Sequence, residues 1–352
     1  MKRILYLILA VCFCCACQNE TPVDESEKDG ASIYLAASVE TSVESRVPYQ
    51  SASVPTPDEV LHAAVWASTV PDKYLSLGYN GKNNGTDVAI YASANFNDGE
   101  PKLLNEAVYP KERNVYFVGF HPAMGWSTVE QQGKTAMLTF DGSQDVMFAP
   151  RQTGTYDETN TGKNIISFHF QHLLTWMKIK IKAENDLVAK SWGKVKEMHI
   201  SSKNQVLIDL TKEDDLEDLV TYSGTVDRLP LHKVGADDVF PSSEGFALTH
   251  TSSHKEEAYV LCQSVVATDQ DTNGERTDEY TLYIKTERQE VTLPIDLMKN
   301  EDEYFKGSTR AKFFTMNLTF MVGNTLMLQA EVGEHDWTLG NSGKPIIGNV
   351  DL

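Results

Sequence analysis

Apolar residues in this chain recur mainly at every second position. In SIYLAASVET, Ile33, Leu35, Ala37 and Val39 share one side of an extended backbone, as a half-buried strand requires. In LTWMKIKIKA, Met177, Ile179 and Ile181 alternate with Lys178, Lys180 and Lys182, which predicts a strand with one dry face and one wet face. DVAIYASA and NVYFVGFHPA are β-branched and aromatic runs bounded by Gly, Asn and Pro. QVLIDL, AYVLCQSVVAT, EYTLYIKT, EVTLPIDL, KFFTMNLTFMV and TLMLQAEV extend the series. No comparably long segment keeps helical spacing. The best short helical candidate is KEDDLEDLV, with Leu216, Leu219 and Val220 on one side.

Turn-forming clusters separate these runs. GYNGKNNG and NDGEP are loops, and MVGNT joins two apolar runs through Gly323 and Asn324 like a hairpin. Many short strands between turns predict antiparallel all-β architecture rather than βαβ units. A domain division is expected after the Lys-alternating strand, near residue 184.

The N-terminus follows different rules. Lys2 and Arg3 precede a short apolar run from Ile4 to Phe13, the layout of a secretory signal too short to span a bilayer as a helix. Four of the five cysteines fall within the first seventeen residues, so they supply neither a disulfide framework nor a zinc site for the body. Cys14-Cys15-Ala16-Cys17 followed by polar Gln18 resembles a bacterial lipobox, which makes Cys17 the candidate for lipidation. The alternative is an ordinary signal cut without lipidation. Residues 18–30 are acidic and nearly devoid of apolar side chains, and read as a tether.

The 352-residue chain is long enough for two ordinary domains, and its 41% hydrophobic content suits a globular body. A net charge of −19 opposes nucleic acid and anionic membrane surfaces. Cys262, inside an apolar run, is expected to be buried and inert.

Candidate chemistry weakens on inspection. Asp269, Asp271, Asn273 and Gly274 open like a calcium loop, but Tyr280 holds the twelfth position and Glu279 comes one residue early. A polar hairpin loop is the expectation there. His250 and His254 are separated by Thr-Ser-Ser, a loop composition. His169 and His172 should fall on opposite strand faces, which disfavours a shared metal. Asp214-Asp215 and Asp237-Asp238 read as solvated loop charges. Trp66, Trp126 and Trp192 are expected in core packing rather than as exposed platforms. No catalytic residues, metal or cofactor are expected.

In order and spacing, five stretches resemble the fimbrillins of Bacteroidales, subunits of lipoprotein-derived (type V) pili. They are the lipobox at Cys17, SIYLAASVETSVESRVPY, VYPKERNVYFVGFHPA, DVMFAP followed by ISFHFQHLLTWMKIKI, and FTMNLTFMVGNTLMLQAEVGEHDW. The resemblance spans nearly the whole chain. It implies two transthyretin-like Greek-key β-sandwich domains in tandem. Residues 1–16 would be the signal, 17–46 a lipidated propeptide with tether and first strand, and 47–184 and 185–352 the two domains. It also implies an outer-membrane lipoprotein that becomes part of a fimbrium. An Arg-specific protease would cut between Arg46 and Val47, releasing the first strand. A C-terminal donor strand carrying Ile346, Ile347, Val350 and Leu352 would then pair with another pilin subunit. The implied partners are therefore pilin subunits, a lipid anchor, the protease and a host or bacterial surface ligand, with no nucleic acid. The rival readings are a monomeric surface lipoprotein binding a glycan or host protein through its loops, and a secreted hydrolase.

Overall fold

Period-two alternation becomes extended backbone through nearly all of the described chain. The computed structural model describes residues 34–39, 60–71, 74, 89–95, 102–103, 114–122, 125–129, 134–155, 165–212, 216–233, 238–251, 256–265, 280–295, 310–332 and 347–350. One sheet runs, neighbour to neighbour, through β1 (Tyr34–Val39), β9 (Ile165–His172), β8 (Met147–Thr155), β5 (Asn114–His121), β2 (Val60–Ser68), β3 (Ala89–Asn95) and β4 (Lys102–Leu103). A second follows β17 (Glu290–Ile295), β16 (Tyr280–Thr286), β11 (Lys194–Asp209), β12 (Val220–Lys233) and β15 (Glu256–Cys262). It continues through β10 (Thr175–Ala183), β18 (Phe313–Phe320), β19 (Leu326–Val332) and β20 (Ile347–Val350). Short β6 (Ser127–Thr128), β7 (Thr135–Thr139), β13 (Val239–Phe240) and β14 (Phe246–Ala247) attach beside this path. Two short helices, α1 (Asp186–Trp192) and α2 (Leu216–Leu219), and a 3-10 turn at Val322–Asn324 complete the described elements.

The Lys-alternating segment forms β10 as its pattern requires. Met177, Ile179 and Ile181 are buried, whereas Lys178, Lys180 and Lys182 are half-buried. The hydrophobic faces of β10, β15 and β18 contribute to one core with those of β11, β16 and β17. The second sheet closes around this core because β12 changes neighbours along its length. Val220–Pro230 pairs with β11, while Leu231–Lys233 turns to β13 and β15. Such switching strands make the corners of folded sheets. Cys262 sits in this core at 0% exposure, and burial pushes its thiol far above the ordinary value, which keeps it protonated.

Several expectations hold. Phe320 faces Leu326 across the Gly323 turn, so MVGNT closes a hairpin, with Gly323 at φ 75°. Leu216, Leu219 and Val220 are buried at the short helix. Trp66 and Trp192 are buried, and Trp126 is half-buried against Phe120. Three features differ from expectation. β1–β9 and β10–β18 are parallel, which is possible because each pair joins segments distant in the chain and needs no tight turn. β15 and β16, which flank the polar segment expected to be a hairpin, do not pair with each other: β15 pairs with β10 and β12, and β16 with β11 and β17. Finally, α1 was not anticipated, although its signals are present: Asn185 Oδ1 accepts from Val188 N at 2.9 Å, and Gly193 takes φ 73° at the other end.

The strands on either side of residue 184 interleave. β10 precedes it but pairs with β15 and β18, and β7 pairs with Gln205–Asp209 of β11.

Because Ile179 is completely buried, Ile179→Ala should cost about 2–5 kcal/mol in chemical denaturation. Lys180→Ala, one residue along on the wet face, should cost less than about 1 kcal/mol.

Candidate assembly interface

An extended segment needs ladder partners for its backbone groups, and β9 is poorly supplied. It pairs with β8 only at Met147↔His172 and Phe148↔Gln171. Among the described residues, the preceding Ile165–Phe170 pairs with β1 alone. Along this stretch Ile166, Phe168 and Phe170 are buried while Ser167 and His169 are exposed. Their register partners in β1 are Leu35, Ala37 and Val39, the same residues whose alternation predicts one apolar face. Ile33 lies outside the described residues.

Beneath β9 lies the β5–β8 surface. A Cβ placed on Gly119 would come within 2.8 Å of the Phe170 ring and 3.1 Å of Ala149 Cβ, so glycine is what lets the ring rest there. Val115, Phe117, Ala149, Phe168 and Phe170 are all buried yet stand apart from the main core. These β9 side chains thus belong to a separate apolar layer.

The far end of β9 is held firmly. His172 Nδ1 lies 2.7 Å from Asp145 Oδ2, and both side chains are almost fully buried. The next residue, Leu173, donates its N–H to Val146 O at 2.8 Å. Its carbonyl accepts from the Tyr222 hydroxyl and from Ser264 Oγ. One end of β9 is therefore tied into the second sheet, while its other six residues depend on β1. The expected separation of His169 from His172 is observed, since one is exposed and the other buried. Asp145 escaped sequence reasoning; its signal is a carboxylate placed directly before the apolar run VMFA.

At the other end of the chain, β20 pairs antiparallel with β19, with Glu331↔Ile347 and Leu328↔Val350. β20 ends the path of its sheet. Two of the expected donor residues, Ile347 and Val350, thus occupy an edge of their own chain. Cys17, Arg46, Val47, Ile346 and Leu352 lie outside the described residues.

The remaining chemical candidates do not converge. His250 is exposed, with its Nδ1 3.3 Å from Ala183 O. His254, Asp214, Asp215, Asp237 and the acidic loop from Asp269 to Glu279 lie outside the described residues. Tyr280 is buried at the start of β16, with its hydroxyl donating to Gln263 O at 2.8 Å. Among the described residues no three His, Cys, Asp or Glu side chains cluster to hold a metal ion. No described helix is long and apolar enough to cross a membrane.

Residues 74–212 match the family model described as Fimbrillin-like. The resemblance read from the sequence is borne out over that segment. No curated protein matches the chain. A solved structure from Bacteroides uniformis, provisionally described as a cell adhesion protein, aligns with TM-score 0.51 and 13% identity, covering 89% of this chain and 99% of that one. A similarly described protein from Bacteroides ovatus aligns at TM-score 0.48 and 14% identity, covering 89% and 99%. The fimbrial anchor protein Mfa2 from Porphyromonas gingivalis aligns at 0.39 and 11%, covering 87% and 98%. The first of these likenesses concerns the fold alone.

The Gly119 contact gives a direct check on the β9 layer. Gly119→Val should displace the Phe170 ring and cost about 1–3 kcal/mol by overpacking. Hydrogen exchange should locate the loosening in Ile165–Phe170; loosening confined to the second sheet would contradict the contact.

Proposed function

We propose, from the premise that this chain is fimbrillin-like over residues 74–212, that it is a non-enzymatic pilus subunit acting in surface adhesion and assembled by strand exchange. In this reading Cys17 carries the lipid that anchors the precursor to the outer membrane. An Arg-specific protease then cuts between Arg46 and Val47 and frees the segment containing β1. The stretch Ile165–Phe170 loses its ladder partner, and the C-terminal segment of another subunit takes the vacancy. Ile346, Ile347, Val350 and Leu352 are the apolar content of that donor. The two tandem domains of this reading are 47–184 and 185–352, divided near residue 184, with β10 at the junction pairing the later strands β15 and β18.

The observation that carries this reading is the dependence of Ile165–Phe170 on β1. Removing β1 bares the edge of Ile165–Phe170 with which it pairs, a state that proteins avoid. Each apolar side chain lost from such a site forfeits roughly 1.5–3 kcal/mol of burial, so an empty groove is costly and a replacement strand is favoured. The self-paired position of β20 adds a condition: it must leave β19 before it can be donated.

Treating the full chain with an Arg-specific protease should give Val47 as the dominant new N-terminus and should yield fibres visible by electron microscopy. A chain lacking residues 341–352, cut in the same way, should remain monomeric, as should the uncut full-length chain. Fibres of normal length from the truncated chain would overturn the assignment of the donor. Metabolic labelling with a palmitate analogue should mark the wild type and not Cys17→Ala; equal labelling of both would overturn the anchor.

A further inference from the structure

Away from the β9 layer, the second sheet carries a groove of about 580 Å³ along β11. Its origin is a gap between neighbouring strands. β11 pairs with β14 at Lys194 and Val195, and with β12 from His199 onward. Lys196, Glu197 and Met198, between these two ladders, line the floor with His199. The segment Asp238–Ser243, held to β12 through β13, forms the wall.

The groove combines two kinds of surface. Val239, 49% exposed, stands with Phe240 and Pro241 as an apolar wall. The groove is also lined by Glu197 from the floor and by Asp238, Ser242 and Ser243 from the wall segment, all exposed residues. Glu197 Oε2 lies 3.8 Å from His199 Nε2, and the Lys196 ammonium is engaged by Glu244 O at 3.1 Å and Glu287 at 3.4 Å. Burial holds His199 below its ordinary value, opposed by Glu197 and reinforced by the Arg228 guanidinium, so the imidazole is neutral near pH 7. Arg228 itself stacks on Tyr283 at 4.2 Å.

The ligand class follows from this lining. The carboxylates of Glu197 and Asp238, in a chain of net charge −19, repel an anionic ligand. The gap in the β11 ladder spans only Lys196–Met198, too short to hold an added peptide strand by its backbone. Carboxylates and hydroxyls beside an apolar wall match a ligand with many neutral hydroxyls on one side and C–H groups on another. We infer that this groove binds neutral carbohydrate. Its volume falls in the range of small-molecule sites. The inference deepens the adhesion reading above by giving it a ligand class.

The test uses the full, uncut chain, so that binding is independent of polymerisation. Titration calorimetry against maltohexaose, cellohexaose, xylohexaose and mannohexaose should show binding to at least one. Glu197→Gln and Asp238→Asn, both at exposed positions, should each weaken it roughly tenfold, the effect of losing a charged acceptor. Val239→Lys should block the wall, while Asp209→Asn, outside the groove, should leave binding unchanged. Circular dichroism identifies any variant that has lost its fold. No binding to any of the four sugars, equal binding by Glu197→Gln and Asp238→Asn, or binding only to an oligogalacturonate or a lysine-rich peptide would overturn the inference. Fibre formation by the same variants separates the two claims: sugar binding without fibres counts against the pilin reading alone, and fibres without sugar binding against the groove alone.

Discussion

One backbone ladder governs the outer end of the first sheet: the parallel pairing of Tyr34–Val39 with Ile165–Phe170. Extended backbone cannot be left with unpaired groups beside a buried apolar face without cost. The neighbouring strand β8 reaches only Gln171 and His172, so among the described residues β1 alone pairs with the rest of β9. The apolar layer containing Phe117, Ala149, Phe168 and Phe170 therefore depends on a short segment near the chain's beginning. A segment placed there is suited to replacement, because exchanging it for another strand of the same pattern leaves everything beyond His172 in place.

That stability beyond His172 has its own causes. Asp145 holds His172, and Tyr222 and Ser264 hold the Leu173 carbonyl, so the end of β9 is fixed by hydrogen bonds to the second sheet. The long strands β11 and β12 carry the same rigidity outward. β11 accepts β7 along its second half, and β12 bends from one layer to the other at Pro230–Leu231. The groove beside Lys196–Met198 is a by-product of this arrangement, since one strand long enough to serve several partners leaves a gap where they change.

Local pattern made some of this legible. The Ile–Lys alternation of β10, the Gly323 hairpin, the buried Cys262 and the short helix at Leu216 all follow from residues within a few positions of one another. What the sequence concealed are relations between distant segments. Nothing in SIYLAASVET names Ile165–Phe170 as its partner, although the apolar register matches once the two are aligned. Likewise the polar segment after β15 has the composition of a hairpin, and only the ladders show that β15 and β16 pair with other strands. Asp145 reads as a loop charge until the fold brings His172 to it. The groove at Lys196 is invisible to pattern, because it consists of what β14 and β12 fail to cover.

The central claim is that Ile165–Phe170 is held by β1 and can be held by an equivalent strand. Hydrogen exchange of the Ile165–Phe170 amides, followed in a chain lacking residues 341–352, measures this directly. The account predicts protection before cleavage at Arg46, loss of protection after cleavage and removal of the N-terminal segment, and recovery on adding a synthetic peptide of residues 341–352. Protection that persists unchanged after the N-terminal segment has gone would contradict it.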